Sequence, residues 1–158
     1  MFRLRHLSFG GPAAIVTSMA LIVGLNAATV GKAALVGSLL ILALADNLTD
    51  SLSIHIYQES EKLSEREALW TTGANFMVRL IVALTFIALV LYCESRTAIF
   101  VSIVWGFGLL SGLTYLLARE RNIAPVPEIC KHCGIAGIVI AVSRAVGAWI
   151  PALIGSPG

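Results

Sequence analysis

The stretch AALVGSLLILALADNLTDSLSIHIY, residues 33–57, begins as an unbroken apolar run and then takes up ionisable side chains. About 20 consecutive apolar residues in a helix span the hydrocarbon core of a bilayer. Isolated strands cannot satisfy their backbone hydrogen bonds in lipid, so helix is the only reasonable structure for this run. The stretch therefore predicts a transmembrane helix that carries Asp46, Asp50 and His55.

The whole chain has the composition of a polytopic membrane protein. Of its 158 residues, 58% are hydrophobic and 13% are charged, and the mean hydropathy is +0.89. Soluble domains carry about 25% charged residues. Short connections make successive helices antiparallel neighbours. The sequence predicts one all-α transmembrane domain, residues 1–158, with five spans at about 11–28, 33–57, 72–92, 98–118 and 134–154.

The N-terminus and the motif content argue against several classes of protein. A basic start before an apolar run is typical of a signal peptide, but no convincing cleavage site precedes a soluble chain, so we interpret it as an uncleaved first span. The net charge of +2 gives no indication of nucleic-acid binding. The sequence shows no nucleophile–base set and no phosphate-cradling glycine loop. We therefore expect neither an enzyme nor a tightly bound cofactor.

The distribution of lysine and arginine predicts the orientation in the membrane. Cytoplasmic loops carry an excess of these residues. An N-terminus in the cytoplasm and a C-terminus outside give the stronger bias, and we expect a multi-pass protein of a plasma or inner membrane. The inner set is then Arg3, Arg5, Lys62, Arg66, Arg119, Arg121 and Lys131, and the outer set is Lys32 and Arg96.

Two aspartates form a charged face on the second span. Asp46 and Asp50 are four residues apart, so their side chains lie about 6 Å from each other on one side of a helix. Asn47 and Thr49 widen this polar face into a candidate transport path. Paired carboxylates suit a hard divalent cation, or protons exchanged for one.

Ion pairing is the alternative interpretation of the same aspartates. Counted from the span ends at about 1.5 Å per residue, Arg79 matches the depth of Asp50, and Arg144 matches that of Asp46. Buried pairs of this kind neutralise each other. The two interpretations are compatible, because a pair can break and re-form during transport.

The inner end of the second span carries a candidate cation entrance. His55 and Glu59 have the i, i+4 spacing that suits shared ligation of a divalent metal, and Glu61 comes two residues after Glu59. A solvated helix end with mixed charge explains the same residues.

The segment CKHC supplies a possible secondary thiol site. Cys130 and Cys133 make half of a zinc site, with His132 between them, and a second protomer would have to complete it. The alternatives are cysteines that only pack, a metal relay or sensor, and redox chemistry.

Three segments together resemble the vacuolar iron transporter family. LADNLTDSLSIHIYQESE, residues 44–61, resembles its second-helix signature; AAIVTSMALIVGLNAA, residues 13–28, and GIAGIVIAVSRAVGAWI, residues 134–150, resemble its first and last helices. The resemblance implies a homodimer of five-helix protomers with a metal path near the two-fold axis. It also implies export of Fe²⁺, or Mn²⁺, from the cytoplasm in exchange for protons. Asp46 then takes the place of the acid of the family's second helix.

The chain departs from that family at three places. The acid expected in the first helix falls on Ala13, and a metal-binding methionine falls on Asp50. The large cytoplasmic insert is reduced to KLSEREALWTT, residues 62–72. We therefore expect a compact, divergent relative that moves divalent metal by proton antiport. The alternative function is a non-transporting assembly or regulatory protein whose aspartates only pair with arginines.

Overall fold

The structure is a computed structural model that describes residues 7–60 and 64–155. Every regular element in the described ranges is helical. A π-helical turn, Leu42–Asp46, joins two α-helices into one continuous rod, Lys32–Ser60. The α-helices are α1 Leu7–Ala27, α2 Lys32–Ile41, α3 Asn47–Ser60, α4 Glu65–Tyr92, α5 Ser95–Glu120 and α6 Pro125–Ile154.

Five of these helical stretches are long and apolar enough to cross a membrane, which confirms the prediction of an all-α chain with five candidate spans. They are residues 10–27, 32–60, 65–92, 96–120 and 125–154. We call the end at which α2 begins the Lys32 end of the bundle, and the opposite end the His55 end.

The link before the last span is shorter than the sequence predicts. Two prolines suggest a loop up to about residue 133, yet α6 already begins at Pro125. Proline fits the first turn of a helix, where its missing N–H has no partner to lose and its fixed φ is helical. Pro125 and Pro127 therefore start the helix. The connection from α5 contracts to residues 121–124, in which Asn122 takes a φ of 54°.

The α1 helix lies at the centre of the bundle and packs against α4, α5 and α6. Its contact with α6 is a close backbone approach, because a Cβ atom on Gly147 would lie 2.0 Å from the carbonyl oxygen of Gly24. Only a glycine at residue 147 permits this approach, so the contact fixes how far α6 slides along α1. The fully buried core residues include Ile15, Met19, Ile22, Leu39, Phe86 and Leu110.

The rod Lys32–Ser60 packs mainly against α4 and leaves its other side uncovered. At the Lys32 end, the ammonium of Lys32 donates hydrogen bonds to the carbonyl oxygens of Leu91 and Cys93, at 2.7 Å and 3.2 Å. The last carbonyls of a helix lack helical partners, so this lysine caps α4. The contact also places the start of α2 level with the end of α4.

Candidate cation site

The winding of the long rod changes immediately before the charged face. The π-helical turn ends at Asp46, and α3 begins at the next residue. Such a turn inserts one extra residue into an α-helix and rotates the residues after it, and it occurs frequently at functional sites. Here it sets the direction in which Asp46 and Asp50 leave the rod relative to the residues of α2.

One arginine of α4 holds both aspartates. Arg79 donates from Nη2 to Oδ2 of Asp46 at 2.6 Å and from Nη1 to Oδ2 of Asp50 at 2.5 Å. The Arg79 side chain is 4% exposed, whereas the aspartate side chains are 45% and 47% exposed. The guanidinium thus lies inside the bundle, and both carboxylates point out of it. Two carboxylates against one guanidinium leave one negative charge.

The contact between Arg79 and Asp50 agrees with the depth count from the sequence, but the expected partnership of Arg144 with Asp46 is wrong. Arg144 is exposed, and within the described residues no carboxylate oxygen lies within 4.0 Å of it. The Gly24–Gly147 crossing places this part of α6 near the end of α1. Asp46 lies about 20 Å from the Lys32 end by helical rise. The depth of Arg144, counted from a span that begins at residue 134, was wrong because α6 already begins at Pro125.

The aspartates lie in the middle part of the candidate spans. Along α4, Arg79 lies about 18 Å of helical rise from Leu91, whose carbonyl oxygen accepts from Lys32. The hydrocarbon core of a bilayer is about 30 Å thick, so spans that cross it would carry the three charges inside the core and nearer the His55 end. A charged group at this depth normally faces protein or a water-filled cavity.

The uncovered side of the rod carries a polar strip, which we define as Asp46, Thr49, Asp50 and Ser53. The hydroxyls of Thr49 and Ser53 donate to the carbonyl oxygens of Ala45 and Thr49, at 2.9 Å and 3.0 Å. Their oxygen atoms remain able to accept or to ligate. The strip is therefore a line of oxygen atoms that can ligate a cation, on the outer surface of the bundle. It is flanked by exposed Leu48, Leu52 and Ile56.

Asn47 lies on the side of α3 that packs against α4, next to this strip. It is 1% exposed, and its Nδ2 donates to the carbonyl oxygen of Phe76 on α4 at 2.9 Å. Its Oδ1 atom has no partner among the described residues. Of the two residues expected to widen the path, Thr49 thus shares the outer surface with the aspartates, and Asn47 faces α4.

Two of the three residues expected to form a cation entrance lie close together. The Nε2 atom of His55 lies 3.4 Å from Oε1 of Glu59, one turn further along α3. The Glu59 side chain is 61% exposed and that of His55 is 24% exposed. Glu61, the third residue expected there, lies outside the described residues.

The side chains of the CKHC segment do not converge on one point. Nδ1 of His132 lies 3.1 Å from Oγ1 of Thr114, and Sγ of Cys133 lies 3.5 Å from Oγ of Ser111, both on α5. Cys130 is exposed. Among the residues that the structure describes, no group of three or more His, Cys, Asp or Glu side chains is arranged to hold a metal. These contacts favour the packing interpretation of the segment.

Two buried polar residues beside Arg79 were not predicted from the sequence. Asn75 and Ser18 are both 1% exposed, and their side-chain polar atoms have no partner in the part of the chain that the structure describes. A Cβ atom on Gly10 would lie 2.1 Å from Oδ1 of Asn75 and 2.7 Å from Cδ of Arg79, so α1 closes directly over both. The sequence does show that Asn75 stands one helical turn before Arg79 in an apolar span, and this spacing could have indicated that the two share a helix face.

Comparisons with models of known protein families, with curated proteins and with solved structures found no match. The resemblance to the vacuolar iron transporter family therefore stays a prediction.

Proposed function

We propose that this chain is an integral membrane carrier that moves divalent cations, Fe²⁺ or Mn²⁺, out of the cytoplasm in exchange for protons. Asp46 and Asp50 form its exchange site. The observation that carries the proposal is the contact of both carboxylates with the single guanidinium of Arg79, on an uncovered surface at membrane depth. Asp46 and Asp50 are also the only aspartates of the chain.

The charge of this set requires a mobile positive partner. An uncompensated charge inside the membrane is costly, so the remaining negative charge favours uptake of either a proton or a cation. Carboxylate and hydroxyl oxygens are hard ligands, which suit Mn²⁺ and Fe²⁺ better than metals that prefer thiolates. The same site can therefore alternate between a protonated and a metal-bound form.

The working unit in this proposal is a homodimer. Two copies that face each other across their polar strips together carry two negative charges, which equal the charge of one divalent cation. Release of that cation then leaves room for one proton on each copy. Covering the strip with a second copy also removes its carboxylates from contact with lipid. Each protomer has its N-terminus in the cytoplasm, so the cation enters past His55 and Glu59.

A second candidate function is a non-transporting assembly or regulatory protein. The observation that favours it is the same arginine, because Arg79 reaches both aspartates and so stabilises the fold by pairing. The cavity next to them, between α1, the rod and α4, has a volume of only about 10 Å³. Such a space holds about one water molecule.

A flux assay separates the two candidates. The purified protein in proteoliposomes is tested with Fe²⁺, Mn²⁺, Co²⁺ and Zn²⁺, with and without a pH gradient. Transport requires cation uptake that depends on the protein and is accompanied by an opposite pH change. Absence of flux for every metal, under both conditions, would leave the assembly function as the better proposal.

A further inference from the structure

A row of buried polar side chains runs along the interface between α3 and α4. We call this row the polar seam and define it as Asn47, Ser51 and Gln58 of α3 with Asn75 and Arg79 of α4. Each of these residues is at most 8% exposed. The seam begins behind the two aspartates and runs towards the His55 end, on the side of α3 that packs against α4.

Every member of the seam has a polar atom without a partner within residues 7–60 and 64–155. These atoms are Oδ1 of Asn47, Oγ of Ser51, Oε1 of Gln58, Nε of Arg79, and both Oδ1 and Nδ2 of Asn75. Buried polar groups in folded proteins are almost always bonded to protein or to ordered water. So many unpaired groups along a single interface indicate that water completes them.

The register of the two helices makes the row continuous. α3 and α4 are antiparallel, with Asn47 bonded to the Phe76 carbonyl and Asp46 bonded to Arg79. Moving along α3 therefore moves backwards along α4, from the level of Arg79 towards that of Asn75. Two further unpaired atoms, Nδ1 of His55 and Oγ1 of Thr72, lie between the levels of Ser51 and Gln58 and fill this part of the row.

The inner end of the seam meets a cavity of water size. The cavity of about 10 Å³ is lined by Ser18, Asp46, Asn47 and Arg79, among others. Oγ of Ser18 and Oδ1 of Asn47 are both unpaired there. A buried water needs two to four polar partners, and these atoms with the Asp46 carboxylate supply about three. The first water would thus contact the carboxylate itself.

We propose that the polar seam holds a chain of ordered waters that conducts protons between Asp46 and Asp50 and the aqueous phase at the His55 end. Protons then reach the site from behind, through the protomer, while the cation uses the polar strip in front. The use of these protons in exchange rests on the proposed function, but the presence of the waters does not.

Few charged groups border this route. Among the described residues, the charged or titratable side chains along it are Asp46, Asp50 and Arg79 at its inner end and His55 with Glu59 at its outer end, where the first turn of α4 adds Glu65, Arg66 and Glu67. Between residues 10 and 27, α1 contributes no titratable side chain. The intervening members are neutral amides and hydroxyls, which can pass a proton along hydrogen-bonded water without holding a charge.

The first test measures hydration without any metal. Water-edited solid-state NMR of the full chain in liposomes measures magnetisation transfer from water to side chains. We expect magnetisation from water to build up rapidly at the side-chain amides of Asn47 and Asn75, although both side chains are buried away from bulk solvent. The methyl group of Met19, which is 0% exposed, serves as the dry reference. Build-up at the amides as slow as at Met19 would overturn the proposal.

The second test measures how fast the site takes up protons. Infrared absorption of the carboxyl groups is recorded after a pH jump. Asn75→Leu and Ser51→Ala should slow protonation at least tenfold and leave its final amplitude unchanged. The matched control is Ser102→Ala, which removes another fully buried, unpaired hydroxyl, but from α5 away from the seam.

The outcomes separate this inference from the proposed function. A hydrated seam with slow protonation in both variants, but no metal flux in the native protein, would sustain the water chain and defeat the carrier. Protonation at the native rate in both variants would mean that protons arrive across the polar strip, and the seam would not be their route. If Asn75→Leu does not fold, Ser51→Ala and the NMR measurement decide the question.

Discussion

The side chain of Arg79 lies against the backbone of Gly10, where a Cβ atom would come within 2.7 Å of its Cδ. The glycine lets α1 approach the aliphatic part of the arginine and hold the guanidinium towards the aspartates. A side chain at residue 10 would push Arg79 and Asn75 aside. The position of the charged set therefore depends on a residue that makes no polar contact with it.

Gly10→Ala should destabilise the protein. Overpacking of a filled site costs about 1–3 kcal/mol, and we expect the free energy of unfolding to fall by that amount. Unfolding in detergent, monitored by circular dichroism, provides the measurement. The control is Gly37→Ala in α2, where nothing lies within 4 Å of the added carbon. That change should raise stability by about 0.5–1 kcal/mol, because alanine favours helix. Equal effects at both positions would contradict the packing argument.

Arg79→Met should destabilise the protein more strongly. It leaves two carboxylates without their counter-charge, and breaking a buried pair costs about 3–5 kcal/mol. We expect the lower end of this range because the carboxylates are half exposed. Adding Asp46→Asn and Asp50→Asn to Arg79→Met should restore most of the loss, since no charge is then unpaired. If the triple variant is less stable than Arg79→Met alone, charge is not the cause.

The matched control for this series is Arg144→Met. Arg144 lies at a comparable position in its own span but is exposed and has no carboxylate nearby among the described residues. We expect a change within about 0.5 kcal/mol, as for other surface substitutions. A loss as large as that of Arg79→Met would show that Arg144 has a partner that a single described protomer does not contain.

The number of spans could be predicted from the sequence, but the partners within the site could be predicted only in part. Spanning a bilayer depends on the length and hydropathy of each run, which the sequence displays directly. The pair Arg79–Asp50 agrees with the depth count because α3 and α4 share a short connection. The same count gave the wrong partner for Arg144. The depth of a residue along α6 depends on where Pro125 begins the helix and on the Gly24–Gly147 contact.

Other parts of the site left little trace in the sequence. Nothing in LALAD, residues 42–46, distinguishes a π-helical turn from ordinary α-helix, because both use the same apolar residues. The partnership of Asp46 with Arg79 depends on that turn. In the sequence, the residues of the polar seam are scattered amides and hydroxyls. That they face one interface becomes evident only when α3 and α4 are packed together.

Removing Arg79 should tighten cation binding even as it weakens the fold. With the competing guanidinium gone, both carboxylates are free to ligate, and their full charge attracts the metal. A ligand that binds the folded state raises stability as its concentration exceeds its Kd. We therefore expect Mn²⁺ to raise the Tm of Arg79→Met more than that of the native protein, and not to change the Tm of the triple variant. An equal rise in all three would mean that Mn²⁺ binds elsewhere.

Each aspartate should be necessary for cation flux. Asp46→Asn and Asp50→Asn keep the size of the side chain but remove a negative ligand and a group that binds protons. We expect each to abolish both metal flux and the coupled pH change in proteoliposomes. Glu120→Gln, at the exposed end of α5, is the matched control and should transport normally. Glu61→Gln should mainly weaken the apparent affinity. Native flux in both aspartate variants would make these residues structural.

The polar strip should lie against its copy in a homodimer. Ser53 is an exposed member of the strip, and Val142 is an exposed residue of α6. In a background without Cys93, Cys130 and Cys133, Ser53→Cys should give a cross-linked dimer with a short bifunctional maleimide, and Val142→Cys should not. The expected reason is that carboxylates at membrane depth need a polar or charged neighbour, which lipid cannot supply. Cross-linking should also fall when the two aspartates are both replaced by leucine, because the strip then tolerates lipid. Dimers through Val142→Cys alone would place the interface on α6, and each strip would then have to work without a partner.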